Sequence, residues 1–141
     1  MAGDNSSWRE FKPYKPKKKE VYMGAAQEAH FTTILTSWRS ELTDELDRMR
    51  QRMQDEVINC PDPTDRASQE SEMALELRTR DRERKLINRI DKTLQHLEEH
   101  DYGFCDECGA EIGLRRLEAR PTANQCIDCK SLAEIREKQM S

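Results

Sequence analysis

The sequence predicts a mainly α-helical protein: a long antiparallel two-helix coiled coil joined to a small four-cysteine zinc-finger domain with a C-terminal helix. Three observations carry this. Apolar residues recur every three or four positions along two segments of more than thirty residues. The break Pro61-Asp62-Pro63 separates those segments. Two Cys-x2-Cys pairs with seventeen residues between them follow.

Composition narrows the function classes. The 141 residues suffice for one domain. Charged residues (37%) outnumber hydrophobic ones (35%), too few apolar groups for a large spherical core. Aromatic residues at 6% argue against a stacking platform for single-stranded nucleic acid. With 24 basic and 28 acidic residues the net charge is −4, not the balance of a protein that grips DNA phosphates. Neither a membrane-spanning apolar run nor a secretory signal is present, so a cytoplasmic location with no membrane partner is expected. In a reducing compartment five cysteines are read as metal ligands before disulfides.

Residues 1–24 are expected to form a flexible N-terminal segment. Two prolines and five lysines within residues 12–19 favour solvated, extended chain. The coiled coil is expected over 25–100. Its first helix, 25–58, carries the stripe Phe31, Leu35, Trp38, Leu42, Leu46, Met49, Met53 and Val57. At 1.5 Å per residue it is about 50 Å long. Its second helix, 63–100, carries Ala67, Ala74, Leu77, Ile87, Ile90, Leu94 and Leu97, interrupted by the charged run Arg78 to Lys85. Counting back from the turn places residue 82 opposite residue 40, so Glu41, Asp44, Glu45 and Asp47 would face that basic run.

The tip is expected near 59–67. Asp62 can cap the second helix, Pro63 suits its first position, and Asp65 lies where a carboxylate meets free N–H groups. Alternatively, acids at the end of a long rod could reach a metal or a moving part of a larger enzyme. Residues alone leave both readings open. Cys60 stands apart beside the turn, and His30, His96 and His100 read as surface or interface residues.

Residues 101–141 are expected to form the zinc finger and terminal helix. Cys105, Cys108, Cys126 and Cys129 have the spacing of a tetrahedral zinc site, with Gly109 able to take the positive φ of the first knuckle. Four thiolates leave no open coordination position, so Zn2+ would be structural, and no catalytic residues are expected. The short basic set Arg115, Arg116 and Arg120 keeps a zinc-ribbon DNA-binding module as an alternative.

The stretches Pro61-Asp62-Pro63-Thr64-Asp65-Arg66-Ala67, LELRTRDRERKLINRIDKTL and CDECGAEIGLRRLEARPTANQCIDCKSLAEIREKQ resemble the DksA/TraR family of bacterial transcription factors, closely from about residue 26 onward. The resemblance implies a non-enzymatic regulator that binds bacterial RNA polymerase without gripping DNA. Its coiled coil would enter the secondary channel, and with ppGpp it would inhibit ribosomal RNA promoters and activate some amino-acid biosynthesis promoters in the stringent response. The family's tip motif falls on Asp62, Asp65 and Ala67. Its ppGpp and polymerase-rim positions fall on Arg82, Lys85, Leu86, Arg89, Arg120 and Lys130. Cationic side chains there suit phosphates. Three departures stand out: Arg89 where the best-known member has Lys, Cys60 in place of an aromatic, and a shorter, lysine-rich N-terminal segment. A Gre-like factor that stimulates transcript cleavage through tip acids is the alternative within the same architecture.

Overall fold

The computed structural model describes residues 7–58 and 63–140, with Ser7, 56–58 and 63–66 described by backbone alone. A 3-10 turn, Ser7–Glu10, leads through an extended arm into helix α1, Ala25–Ile58. Helix α2, Pro63–Glu98, returns antiparallel to it. Helices α3, Leu114–Ala119, and α4, Ile127–Met140, complete the chain. Among the described residues there is no strand, only an isolated antiparallel bridge between Phe104 and Glu111. Both long helices therefore stand where the periodicity placed them, with Pro63 as the first residue of α2.

Helix α2 stops at Glu98, two residues before the expected end. His100 adopts a left-handed backbone (φ 63°), its N–H bonds the Leu97 carbonyl, and the Asp101 N–H reaches the His96 carbonyl. This is a Schellman cap built on histidine rather than glycine. The cap turns the chain into the zinc module ahead of Tyr102-Gly103-Phe104.

The core sits at the base of the rod. Phe31, Ile34, Leu35, Trp38 and Leu42 of α1 cluster with Ile90 and Leu97 of α2, with Tyr102 and Ile112, and with Leu117 of α3. Phe31, Leu35, Ile90 and Leu117 have no exposed surface. Each large apolar side chain so buried is worth about 1.5–3 kcal/mol. Farther along α1, Met49 alone is buried among the described side chains, and α4 contributes no buried residue.

The register differs from the count made from the turn. His100 meets Glu28, Arg39 pairs with Asp91, and the Glu45 carboxylate acts on Glu83. By that spacing Arg82 lies opposite about residue 47 rather than 40. Burial of Ile90 and Leu97 against Phe31 to Leu42 sets the alignment, and equal distance from the turn does not. The acidic run Glu41 to Asp47 accordingly faces the stretch from Glu83 to Arg89.

The seam of α2 also departs from the expected stripe. Residues 73, 76, 80, 83, 87, 90, 94 and 97 follow a strict three-four alternation and are all buried or half-buried, whereas Leu77 lies outside the seam at 45% exposure. Its middle is polar. Glu76 Oε2, Arg80 Nε and Glu83 Oε2 are buried without a hydrogen-bond partner. Burial, then the nearby Glu45, raises the Glu83 carboxyl above its ordinary range, and Arg82 opposes this only in part. A polar layer left without partners lowers stability.

The N-terminal segment, expected to be flexible, is tied to the fold at Trp8, Tyr14, Glu20 and Tyr22. Trp8 is buried, with its ring 5.2 Å from that of Trp38. The Tyr14 N–H donates to Glu118 (2.8 Å), and the Tyr14 hydroxyl donates to Glu20. The buried Gln27 donates to Glu20 through Nε2 and accepts from the Met23 N–H through Oε1. The lysine and proline composition concealed these long-range anchors. Two turns shape the arm, closed by Glu20 N–H to Lys17 and Gly24 N–H to Val21. Each has a non-glycine residue at positive φ in its third position, Lys19 at 69° and Met23 at 54°. Such a conformation costs about 1–2 kcal/mol in an L-residue.

Trp8→Ala should lower stability by about 2–4 kcal/mol in urea unfolding, because it empties an aromatic site in the base core. A loss under about 0.5 kcal/mol would show that the arm does not hold the core. Glu83→Gln should be more stable than wild type at pH 7. The raised Glu83 carboxyl costs stability while ionised, so the advantage should fade as the pH falls through that raised value. A pH-independent difference would assign the effect to packing.

Candidate functional site

Two knuckles bring four sulfurs together. In the first, the Cys105 N–H bonds the Ala110 carbonyl and the Gly109 N–H bonds the Cys105 carbonyl, with Gly109 at φ 75° as its position required. In the second, the Cys129 N–H reaches Cys126 Sγ and the Lys130 N–H bonds the Cys126 carbonyl, which carries the chain straight into α4. An Asp106 N–H to Asn124 carbonyl bond (2.9 Å) ties the two knuckles together.

The four Sγ atoms lie within 4.8 Å of one another, and Cys108 Sγ to Cys126 Sγ is 3.7 Å. Disulfide sulfurs stand about 2.05 Å apart, so this is not a bridge. Zinc–sulfur bonds of about 2.3 Å give a tetrahedron whose edge is about 3.8 Å, which the pair matches. N–H groups of Cys126 and Cys108 aimed at Cys105 hold its thiol down to about 6. Sulfurs of Cys126, Cys105 and Cys108 push Cys129 well above the ordinary thiol range. Crowded thiolates of this kind call for a cation at their centre. Zn2+ held by Cys105, Cys108, Cys126 and Cys129 is the structural cofactor. Coordinating thiols are deprotonated by the ion itself.

Hydrogen bonds join this module to the rod. Within the module, the Tyr102 hydroxyl donates to the Pro121 carbonyl inside the core; the bonds that leave it come from Tyr22, Tyr14 and His30. The Tyr22 hydroxyl donates to the Gly103 carbonyl (2.7 Å) and accepts from the Gly113 N–H (3.0 Å). A side chain on Gly103 would strike Met23 Cγ at 2.9 Å, so glycine is needed there for close approach. Glu118 of α3 receives both the Tyr14 N–H and His30 Nε2, each at 2.8 Å.

A cleft of about 540 Å³ opens between α2 and the zinc module. Of the expected rim residues, Arg89, Arg120 and Lys130 line it together, each from a different part of the fold. Leu86 packs against the core instead. Arg82 and Lys85 are exposed on α2 outside the cleft, on the same helical face as Arg89. Lys92 and Arg116 also line the cleft; the sequence reading passed over Lys92 and placed Arg116 only in the basic set of the DNA-binding alternative. Lys92 is one turn from Arg89, so helical spacing carried its signal. Arg116 stands on α3 and reaches the cleft with its Nε donating to the Gln125 carbonyl (3.0 Å). Five cations against the single carboxylate of Asp106 give the cleft a net positive lining, of the kind that suits an anion.

At the tip, Cys60 and Asp62 lie outside the described residues. Asp65 is placed in the first turn of α2 by its backbone, and Ala67 is exposed one turn along. The histidines are interfacial: besides His30, His96 pairs with Asp101 and His100 with Glu28. No described helix is long and apolar enough to cross a membrane.

Two family models together match about three quarters of the chain. Residues 27–97 match the DnaK suppressor protein DksA N-terminal domain, and residues 100–134 the prokaryotic dksA/traR C4-type zinc finger. The RNA polymerase-binding transcription factor DksA of Escherichia coli strain K12 is 64% identical over 129 residues, 92% of this chain and 85% of that protein. The factor of the same name from Haemophilus influenzae is 59% identical over 130 residues, 92% of this chain and 90% of its own length. Among solved structures, transcription factor DksA2 from Pseudomonas aeruginosa superimposes with a TM-score of 0.81 at 38% identity, covering 86% of this chain and 94% of that one. These relatives are transcription factors and not enzymes, in line with the all-thiolate metal site.

Chelation should release zinc and increase hydrogen exchange across residues 104–130 while leaving the α1–α2 rod largely protected. Unchanged exchange in that region without metal would contradict a structural zinc.

Proposed function

The chain belongs to the DksA/TraR family, and from that premise we propose that it binds bacterial RNA polymerase and regulates transcription initiation. The rod enters the secondary channel and presents Asp62, Asp65 and Ala67 near the active site. At the channel rim Arg82, Lys85, Leu86, Arg89, Arg120 and Lys130 form the shared interface that holds ppGpp. Together they inhibit ribosomal RNA promoters and activate some amino-acid biosynthesis promoters, in the cytoplasm and without a direct grip on DNA. One observation carries this reading: Arg89, Arg120 and Lys130 converge on one cleft at the base of a helix roughly 50 Å long. Phosphate recognition and the tip are thus separated, and a ligand at the base can act on docking without touching the tip. Arg89 in place of lysine adds a planar, bidentate donor for phosphate.

Transcription from a ribosomal RNA promoter with purified polymerase should fall when the protein is added and fall further with ppGpp. Asp65→Asn should remove the inhibition at nearly unchanged polymerase affinity. Lys130→Ala should reduce the ppGpp response at unchanged zinc content. Equal loss of binding and regulation in Asp65→Asn would assign that aspartate to docking or folding.

A further inference from the structure

We propose that the lysine-bearing arm, residues 12–19, is a docking surface for an acidic protein patch on the polymerase, beside the channel that admits the rod. The inference rests on the reading above and adds a contact to it. The arm holds Lys12, Lys15, Lys17, Lys18 and Lys19, all exposed. Among the described residues none of Lys12, Lys15, Lys18 and Lys19 forms an ion pair.

Its backbone is fixed. Trp8 on Trp38 anchors one end, and Tyr22 between Gly103 and Gly113 anchors the other. Between them, Glu20 gathers the Tyr14 hydroxyl, the Lys17 N–H and the amide of buried Gln27. Backbone entropy of the arm is therefore lost on folding and does not weigh against binding.

The two turns of the arm differ in a telling way. The strained Met23 turn is explained by packing, since Met23 and Tyr22 press on Gly103. The strained Lys19 turn is held at its closing residue, Glu20, whose carboxylate accepts from Tyr14, Lys17 and Gln27. It holds Lys18 and Lys19 at its apex, in solvent. A strained, charged apex held by a buried amide is built for presentation.

Charge selects the class of partner. Residues 1–20 carry six basic and three acidic groups, net +3. Since the whole chain is −4, residues 21–141 are −7. An extended duplex, with one charge per about 1.7 Å, meets that acidic body as well as the arm. A bounded cluster of Asp and Glu side chains meets the arm alone within a screening length of about 8 Å. The arm also leads into the base of the rod, where a contact outside the channel would form as the rod enters.

The test compares wild type, Lys12→Glu/Lys15→Glu/Lys18→Glu and Lys12→Arg/Lys15→Arg/Lys18→Arg, all full-length and zinc-loaded. Affinity for purified core RNA polymerase is measured at about 100 and about 400 mM salt. Charge reversal should weaken binding about tenfold at the lower salt, with the difference under about twofold at the higher salt. The arginine variant should match wild type. A glutamine triple variant, which removes charge without adding repulsion, should lose about threefold, so the outcome does not hang on the folding of one variant. Equal affinities for all variants at both salts would overturn the proposal. So would unchanged polymerase binding together with loss of binding to a 30-base-pair duplex on charge reversal, which would make the arm a nucleic-acid contact. A wild type that fails to bind polymerase at all would sink the functional reading, and this inference with it.

Discussion

The apolar cluster at the base of the rod fixes every other feature. Phe31 and Leu35 from α1, Ile90 from α2 and Leu117 from α3 lose all exposed surface to one another's neighbourhood. Because these residues come from the rod and the zinc module alike, the module cannot swing on the end of α2. The four-sulfur site closes the small loop domain that supplies Ile112 and Leu117. Metal and core support each other: zinc holds the loops that present these side chains, and the core holds the knuckles against the rod.

From this base the functional geometry follows. Arg89 and Lys92 lie on α2 where the core has already fixed its rotation, while Arg120 and Lys130 arrive on either side of the second knuckle. A cationic cleft assembled from such separate pieces exists only while the base is intact. Beyond Leu42 apolar burial thins and the seam turns polar through Glu76, Arg80 and Glu83. The rod is therefore less strongly held toward its tip than at its base.

Much of this was legible in the sequence because local rules govern it. Helix α1 lacks proline and glycine, so its bounds follow from periodicity, and the proline pair ends it. Cysteine spacing encodes the metal site because two intervening residues turn both sulfurs one way. What escaped was non-local. The arm looked solvated because Trp8, Tyr14 and Tyr22 find partners more than twenty residues away. Register escaped because core burial sets it and loop symmetry does not. The end of α2 escaped because histidine took the left-handed position that glycine usually marks. Leu77 looked like core because it is apolar, yet the seam passes through the charged residues beside it.

The most direct measurement places a photo-crosslinking residue at the exposed tip position Ala67, in complex with purified RNA polymerase. The account predicts crosslinks to peptides lining the nucleotide-entry channel near the active centre, retained when ppGpp is added. Crosslinks confined to the outer surface of the polymerase, or to promoter DNA, would contradict it.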